Sequence, residues 1–317
     1  MIQNPHAFVA ARSRHPALLD PWEAALEFGP GTVMAVMTET QGPAYRRRGA
    51  SMALAADGRI AGALSSGCIE ADLIVHSRRV RDNGQTIRLR YGEGSPFLDL
   101  RLPCGGAIEV MLFLLRDHEA LVELSRMRAA RRHVALTLSD SGRLCLGEGR
   151  GLALSFRAGL RFVIFGAGPE AAVFAELVHS LHHDHMLLSH EDQSLALAEG
   201  MGCNVRRLGP LPDMDELMPD ERCAAVLFYH DHDHEPAILR QLLARPAFYI
   251  GAQGSRATQR NRLSQLAGLG VPAADCTRVR GPIGLIPSAR DPGQLAISVL
   301  AEVMAAAGDT ISARRVT

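Results

Sequence analysis

Apolar residues recur at helical spacing over residues 16–28 and stop at Gly29-Pro30-Gly31, a helix-breaking run. The apolar stretch 32–38 is bounded by turn residues and predicts a buried strand. Residues 41–48 are polar and Arg-rich, the pattern of a loop. Two short apolar runs, 51–55 and 59–62, flank Asp57-Gly58 and predict a hairpin. Helical periodicity returns over 69–80 and ends before Asn83-Gly84, and strand-like stretches follow at 86–91 and 107–115. A helix over 118–131 and a hairpin formed by 134–138 and 143–146 complete a mixed α+β pattern.

The texture changes after a Gly-rich, weakly patterned stretch at 150–159, which reads as a linker. Residues 161–165 are apolar and run directly into Gly166-Ala167-Gly168, and a helical pattern follows over 169–181. Short strand candidates recur at 186–188, 204–206, 225–229 and 248–250, most of them separated by helical stretches. Strands alternating with helices indicate βαβ units and a parallel sheet. The expected architecture is α/β: an N-terminal α+β domain over 1–150 and a Rossmann-like parallel-sheet domain over 160–317.

A length of 317 residues supports two domains, and 47% hydrophobic with 21% charged residues is an ordinary globular balance. With 34 basic and 34 acidic residues, no overall basic field exists for general nucleic-acid binding, and no nucleic-acid partner is expected. The six cysteines form no CxxC pair, as suits a reducing compartment. The first twenty residues have no continuous apolar core for a secretory signal, and no apolar run approaches the roughly 20 residues of a membrane span. A cytoplasmic location with no membrane partner is expected.

Several segments carry candidate chemistry. Gly166-Ala167-Gly168 with Ala171 fits the strand–GxGxx(G/A)–helix turn that brings backbone N–H groups to a pyrophosphate. Pro169 removes one such donor and Glu170 adds negative charge. NAD(P) binding and a purely geometric use of the glycines are therefore both open. Gly254, Ser255 and Arg256 also follow a strand and precede a helical segment, where Ser255 can cap and Arg256 adds a fixed charge; an anion site is favoured. Cys68 lies at an expected helix start, where a thiol ionises more easily, and Cys104 lies in a Pro-Cys-Gly-Gly turn. Each is either a small buried hydrophobe or a soft ligand. Arg46, Arg47 and Arg48 form either a solvated loop or a phosphate clamp. The run from His230 and Asp231 to Glu235 has the composition of a metal cluster. Its place at a strand end favours hydrogen bonding to a ligand, so no metal site is assigned. The histidines of 179–185 read as a solvated helix end.

Together these segments resemble the xanthine dehydrogenase accessory protein family, XdhC/CoxI. The first half is similar through Tyr45-Arg46-Arg47-Arg48-Gly49-Ala50-Ser51-Met52, Ser66-Gly67-Cys68-Ile69-Glu70 and Cys104-Gly105-Gly106. The second half is similar through Gly166-Ala167-Gly168, His230-Asp231, Tyr249-Ile250-Gly251, Gly254-Ser255-Arg256 and Pro282-Ile283-Gly284-Leu285. The resemblance implies a chaperone that binds molybdenum cofactor, as molybdopterin or its cytosine dinucleotide form. It also implies support of sulfuration with a cysteine desulfurase, and insertion into the apoenzyme of a molybdenum hydroxylase of the xanthine dehydrogenase or aldehyde oxidase type. Arg46, Arg47, Arg48, Cys68, Glu70, Cys104, Gly166, Gly168, His230, Asp231, Gly254, Ser255 and Arg256 are the implied contacts, and a homodimer is the expected assembly. No catalytic set is assigned, and an accessory protein is expected rather than an enzyme. The competing reading is an NAD(P)-dependent oxidoreductase using the Gly166 loop.

Overall fold

The computed structural model describes residues 16, 19–65, 67, 69–95, 105–209, 212–229, 232–308 and 311–316. The chain forms two compact units, residues 1–158 with 310–317, and residues 159–309.

In the first unit, Asp20 caps α1 (Pro21–Phe28) by accepting the N–H groups of Trp22 and Glu23 at 2.9 and 3.2 Å. Five antiparallel strands follow: β1 (Val33–Gln41), β2 (Ser51–Leu54), β3 (Ile60–Gly62), β4 (Ile87–Gly92) and β5 (Ala107–Leu114), in the order β3-β2-β1-β5-β4. The hairpin at Asp57-Gly58 is β2–β3, as its sequence predicts. Helix α2 (Glu70–Asn83) covers one face of this sheet and ends at Gly84 in the left-handed conformation. A second antiparallel sheet joins β6 (Val134–Leu138), β7 (Leu144–Leu146) and β8 (Gly151–Phe156), with α3 (His118–Ala129) packed nearby. Alternation along β1 divides the interior. Met34 and Val36 join Trp22, Phe113 and Phe156 on one side, while Val33, Ala35 and Met37 meet Leu73 and Tyr91 on the other.

The second unit is a parallel sheet of β9 (Arg161–Gly166), β10 (Asp184–Ser189), β11 (Val205–Arg207), β12 (Cys223–Phe228), β13 (Tyr249–Ala252) and β14 (Val279–Arg280). The order β11-β10-β9-β12-β13-β14 is the doubly wound order, reversing between β9 and β12. Helices α4 (Gly168–Ser180), α5 (Asp192–Gly200), α6 (Met214–Leu217), α7 (Glu235–Leu243), α8 (Arg256–Gly268), α9 (Ala273–Cys276) and α10 (Pro292–Ala307) complete it. The strands are apolar on both faces because both are covered. Phe162 and Ile164 pack with residues of α4 and α10, Val163 and Phe165 with residues of α7.

Two boundaries differ from the sequence reading. The stretch 150–159 is not a linker, since most of it is β8, paired with β6. The last residues do not stay with the second unit. Strand β15 (Ile311–Val316) pairs antiparallel with β8 along its whole length, so 310–317 group with the first unit. No helix among the described residues is long and apolar enough to cross a membrane.

Candidate functional site

In the first unit, strand register brings three motif segments to one end of the sheet. Gln41 at the end of β1 pairs with Ala107 at the start of β5, and Met52 near the start of β2 pairs with Gly62 at the end of β3. The chain therefore leaves β1 after Gln41, leaves β3 after Gly62 and enters β5 from Gly106 at the same end of the sheet. The start of the arginine loop packs directly against Gly106. A Cβ on Gly106 would stand 2.1 Å from the Pro43 carbonyl oxygen and 2.8 Å from that of Gln41, so only glycine permits this approach. The loop closes back on β1 through Gly49 N–H to Met37 O at 2.8 Å and Met37 N–H to Ala50 O at 2.9 Å.

Arg46, Arg47 and Arg48 line an open pocket of about 390 Å3 together with Trp22 and Ser51, and no carboxylate is among its described lining residues. Arg46 and Arg47 are exposed and Arg48 is half-buried. Trp22 is 2% exposed, held edge-on against Phe156 at 5.6 Å, and its indole N–H has no acceptor among the described residues. Three cations on one concave surface favour an anion.

Glu70 serves the neighbouring loop. Its carboxylate accepts the N–H groups of Leu64 and Ser65 at 3.1 and 2.7 Å and the Ser65 hydroxyl at 2.6 Å. Burial opposes its ionisation, yet the bonds from Ser65 and Leu64 prevail and hold the carboxyl below its ordinary range. The structure thus gives Glu70 the work of shaping the loop that leads to Cys68. Cys68, Cys104, His230 and Asp231 lie outside the described residues.

In the second unit, the Gly166 turn has no room for a larger residue, since a Cβ on Gly166 would lie 2.3 Å from Phe228 O. Two backbone donors of this turn are already engaged. Ala167 N–H donates to Phe228 O at 3.1 Å and Gly168 N–H to Ser194 Oγ at 2.8 Å, while Ser194 Oγ–H donates to Glu191 at 2.9 Å. With Pro169 lacking an N–H, the turn offers fewer donors to a pyrophosphate than its glycine pattern alone suggests, and Gly166 is required by chain geometry. At the other loop, Ser255 caps α8 by accepting Thr258 N–H at 3.0 Å, and Arg256 is exposed in the first turn.

Sequence reasoning missed the centre of this unit's polar network. Arg262, 2% exposed, donates to both oxygens of Glu235, 1% exposed, at 2.8 and 3.1 Å, and to Gln253 O at 2.7 Å. Glu235 ends the histidine-rich run and belongs to packing. Among the described residues, no three His, Cys, Asp or Glu gather as a metal site. Of the histidines of 179–185, His179 lies in the last turn of α4 and His182 is exposed beyond it, as a solvated helix end requires, but His185 belongs to β10. His185 is buried, with Nδ1 against His183 O at 3.0 Å and Nε2 accepting Asn204 N–H at 3.2 Å.

Residues 25–92 match the XdhC and CoxI family, and residues 162–303 match the XdhC Rossmann domain. Over 288 residues the chain is 33% identical to the molybdenum cofactor insertion chaperone PaoD of Escherichia coli K12, covering 88% of this chain and 84% of that protein. The chain belongs to the XdhC and CoxI family. A second relative is described as a probable xanthine dehydrogenase subunit of Bacillus subtilis 168, 25% identical over 341 residues, 89% of this chain and 95% of that one. The fold also matches the crystal structure of a protein described as a xanthine dehydrogenase from Bacillus halodurans, with TM-score 0.72 at 21% identity over 91% of this chain and 96% of that one. Both family regions fall on elements described above. The XdhC and CoxI region spans the arginine loop, and the Rossmann region spans the doubly wound sheet.

Proposed function

We propose that the protein is an accessory chaperone, not an enzyme, that holds molybdenum cofactor and delivers it to a molybdenum hydroxylase. The observation that carries this reading is the pocket lined by Arg46, Arg47, Arg48 and Trp22, with no carboxylate among its described lining residues. Identity to PaoD, a molybdenum cofactor insertion chaperone, supports the same cargo.

Molybdopterin carries a phosphate at one end and a soft dithiolene-bound metal at the other. The arginines suit the phosphate, and the thiolates of Cys68 and Cys104 suit the metal end. In the second unit, Gly254, Ser255 and Arg256 open α8 with a positive helix end and are proposed as a further anionic contact. Gly166 and Gly168 are not proposed as phosphate ligands, and Glu70 acts through its loop. His230 and Asp231 remain proposed contacts at the sheet edge. Sulfuration with a cysteine desulfurase, insertion into the apoenzyme, a homodimeric state and a cytoplasmic location complete the reading.

Trp22 is the sole tryptophan, so its fluorescence reports directly on the pocket it lines. Titration with free molybdopterin released from a carrier should change that fluorescence saturably. Arg47→Ala should weaken binding roughly tenfold, on the scale of one charge-assisted contact, and Cys104→Ala should lower the molybdenum retained after purification. A chain that purifies without pterin from a molybdenum-replete host and shows no such titration does not hold this cargo.

A further inference from the structure

In open parallel sheets, ligands lodge outside the carboxyl ends of the strands where strand order reverses. Here that place lies between β9 and β12, and at its phosphate position the Gly168 N–H is taken by Ser194, with the Glu191 carboxylate behind it. Beside the closed turn stands a group of rings with no role so far. His190 follows β10, Tyr229 follows β12, and His234 precedes α7. The centroids of His190 and His234 are 4.2 Å apart with their planes at 37°, and Tyr229 lies 5.9 Å from His234 and 6.4 Å from His190. His234 is exposed and His190 half-buried, with the buried Tyr229 ring beside them.

Two polar atoms at this edge are buried without a partner among the described residues: Tyr229 Oη and Gln253 Oε1. They belong to adjacent strand ends, since Gln253 N–H donates to Leu227 O at 2.9 Å, two residues before Tyr229. Buried orphans of this kind are rare in native folds and call for a physical account. One is a phenol that can donate. The other is a carbonyl that can only accept. Burial first, and then Glu235 and Glu191, push the Tyr229 phenol upward, so it keeps its proton. Burial and the neighbouring His234 hold His190 below the ordinary imidazole range, so its ring presents a neutral stacking surface at neutral pH.

We infer that this edge of the second unit binds a neutral, amino-substituted heteroaromatic ring, such as a nucleobase or a pterin, and not a diphosphate. A ring nitrogen accepts from Tyr229, an exocyclic amine donates to Gln253, and the ring face meets the imidazoles. The inference rests on the second unit alone, and its probes contain no molybdenum, so it stands or falls separately from the arginine pocket.

Calorimetric titration of the full chain with adenosine, cytidine and pterin tests it, with adenosine diphosphate and purine riboside as comparisons. At least one of the three amino-substituted rings is expected to bind, and which of them binds distinguishes a nucleoside source from a pterin source. If adenosine binds, its diphosphate should gain no more than about twofold, because the Ala167 and Gly168 N–H groups are taken, Pro169 has none and the Glu191 carboxylate stands behind, and purine riboside, which lacks the amine, should lose about tenfold. Tyr229→Phe should weaken the bound ring roughly five- to tenfold while leaving Tm unchanged or higher, since it removes a buried hydroxyl with no partner. Absence of binding by all three rings, a tenfold gain from the diphosphate, or full affinity in Tyr229→Phe overturns the inference.

Discussion

Arg262 and Glu235 show how much one pair of residues can commit a domain. Both are essentially removed from water, and the guanidinium makes four hydrogen bonds, to both oxygens of Glu235, to Gln253 O and to Gln259 Oε1. Such a pair adds little net stability over an apolar replacement, but breaking it strands a charge. Arg262→Ala should therefore cost the second unit about 3–5 kcal/mol in urea denaturation, whereas Arg262→Met combined with Glu235→Leu should cost much less. His185 makes a related case through protonation. Burial holds its pKa below 6.5, with His179 adding to the depression and His183 O and Asp184 opposing it, and burial lowers His183 as well. Because the folded ring resists a proton that the unfolded ring accepts, the stabilisation is complete above the unfolded value. It is lost as pH falls through the folded one. Thermal scans of the second unit should show Tm falling below about pH 6.5, with a shallower fall in His185→Gln.

At the level of elements, the site in the first unit depends on close approach between two chain segments rather than on any single side chain. Gly106→Ala places a methyl group against the backbone of Pro43 and Gln41, neither of which can yield as a flexible side chain does. The arginine loop should be displaced, with a loss of about 1–3 kcal/mol and a change in Trp22 fluorescence, while the circular dichroism of the fold persists. This contact explains what the sequence could and could not convey. The β2–β3 hairpin was legible because Asp57-Gly58 sets its turn locally, and the arginine loop stood out by residue type. Strand β8 was hidden among glycines because its partners, β6 and β15, are distant in sequence. Trp22 was read as one apolar position of a helix, since nothing local marks its indole N–H as unsatisfied. The Gly166 motif was visible, but the acceptor of its Gly168 N–H, Ser194, sits 26 residues away.

At the level of the whole molecule, the chain closes on itself. After completing α10 in the second unit it returns β15 to the first, against the edge of β8. Every residue of β8 from Gly151 to Phe156 has a β15 partner, and the buried side chains of Leu152, Leu154 and Phe156 belong to the core that holds Trp22. Removing residues 309–317 would leave β8 an unpaired edge beside that core. The lost hydrogen bonds contribute roughly 1 kcal/mol each, partly offset by the freed entropy of the tail, so the net loss is on the order of a few kcal/mol. The loss should fall on the first unit, because the two cores of the second are built from residues 160–307. With a single tryptophan, located in the first unit, the assay separates the two. In the truncated chain the fluorescence midpoint in urea should drop, while the far-ultraviolet signal retains a transition at the original midpoint. A fluorescence midpoint equal to that of the full chain would mean that β15 adds no stability to the unit it joins. The exposed edge should also favour association between chains, since an unpaired strand offers N–H and C=O groups to any partner. Light scattering at increasing protein concentration should therefore rise for the truncated chain more steeply than for the full one.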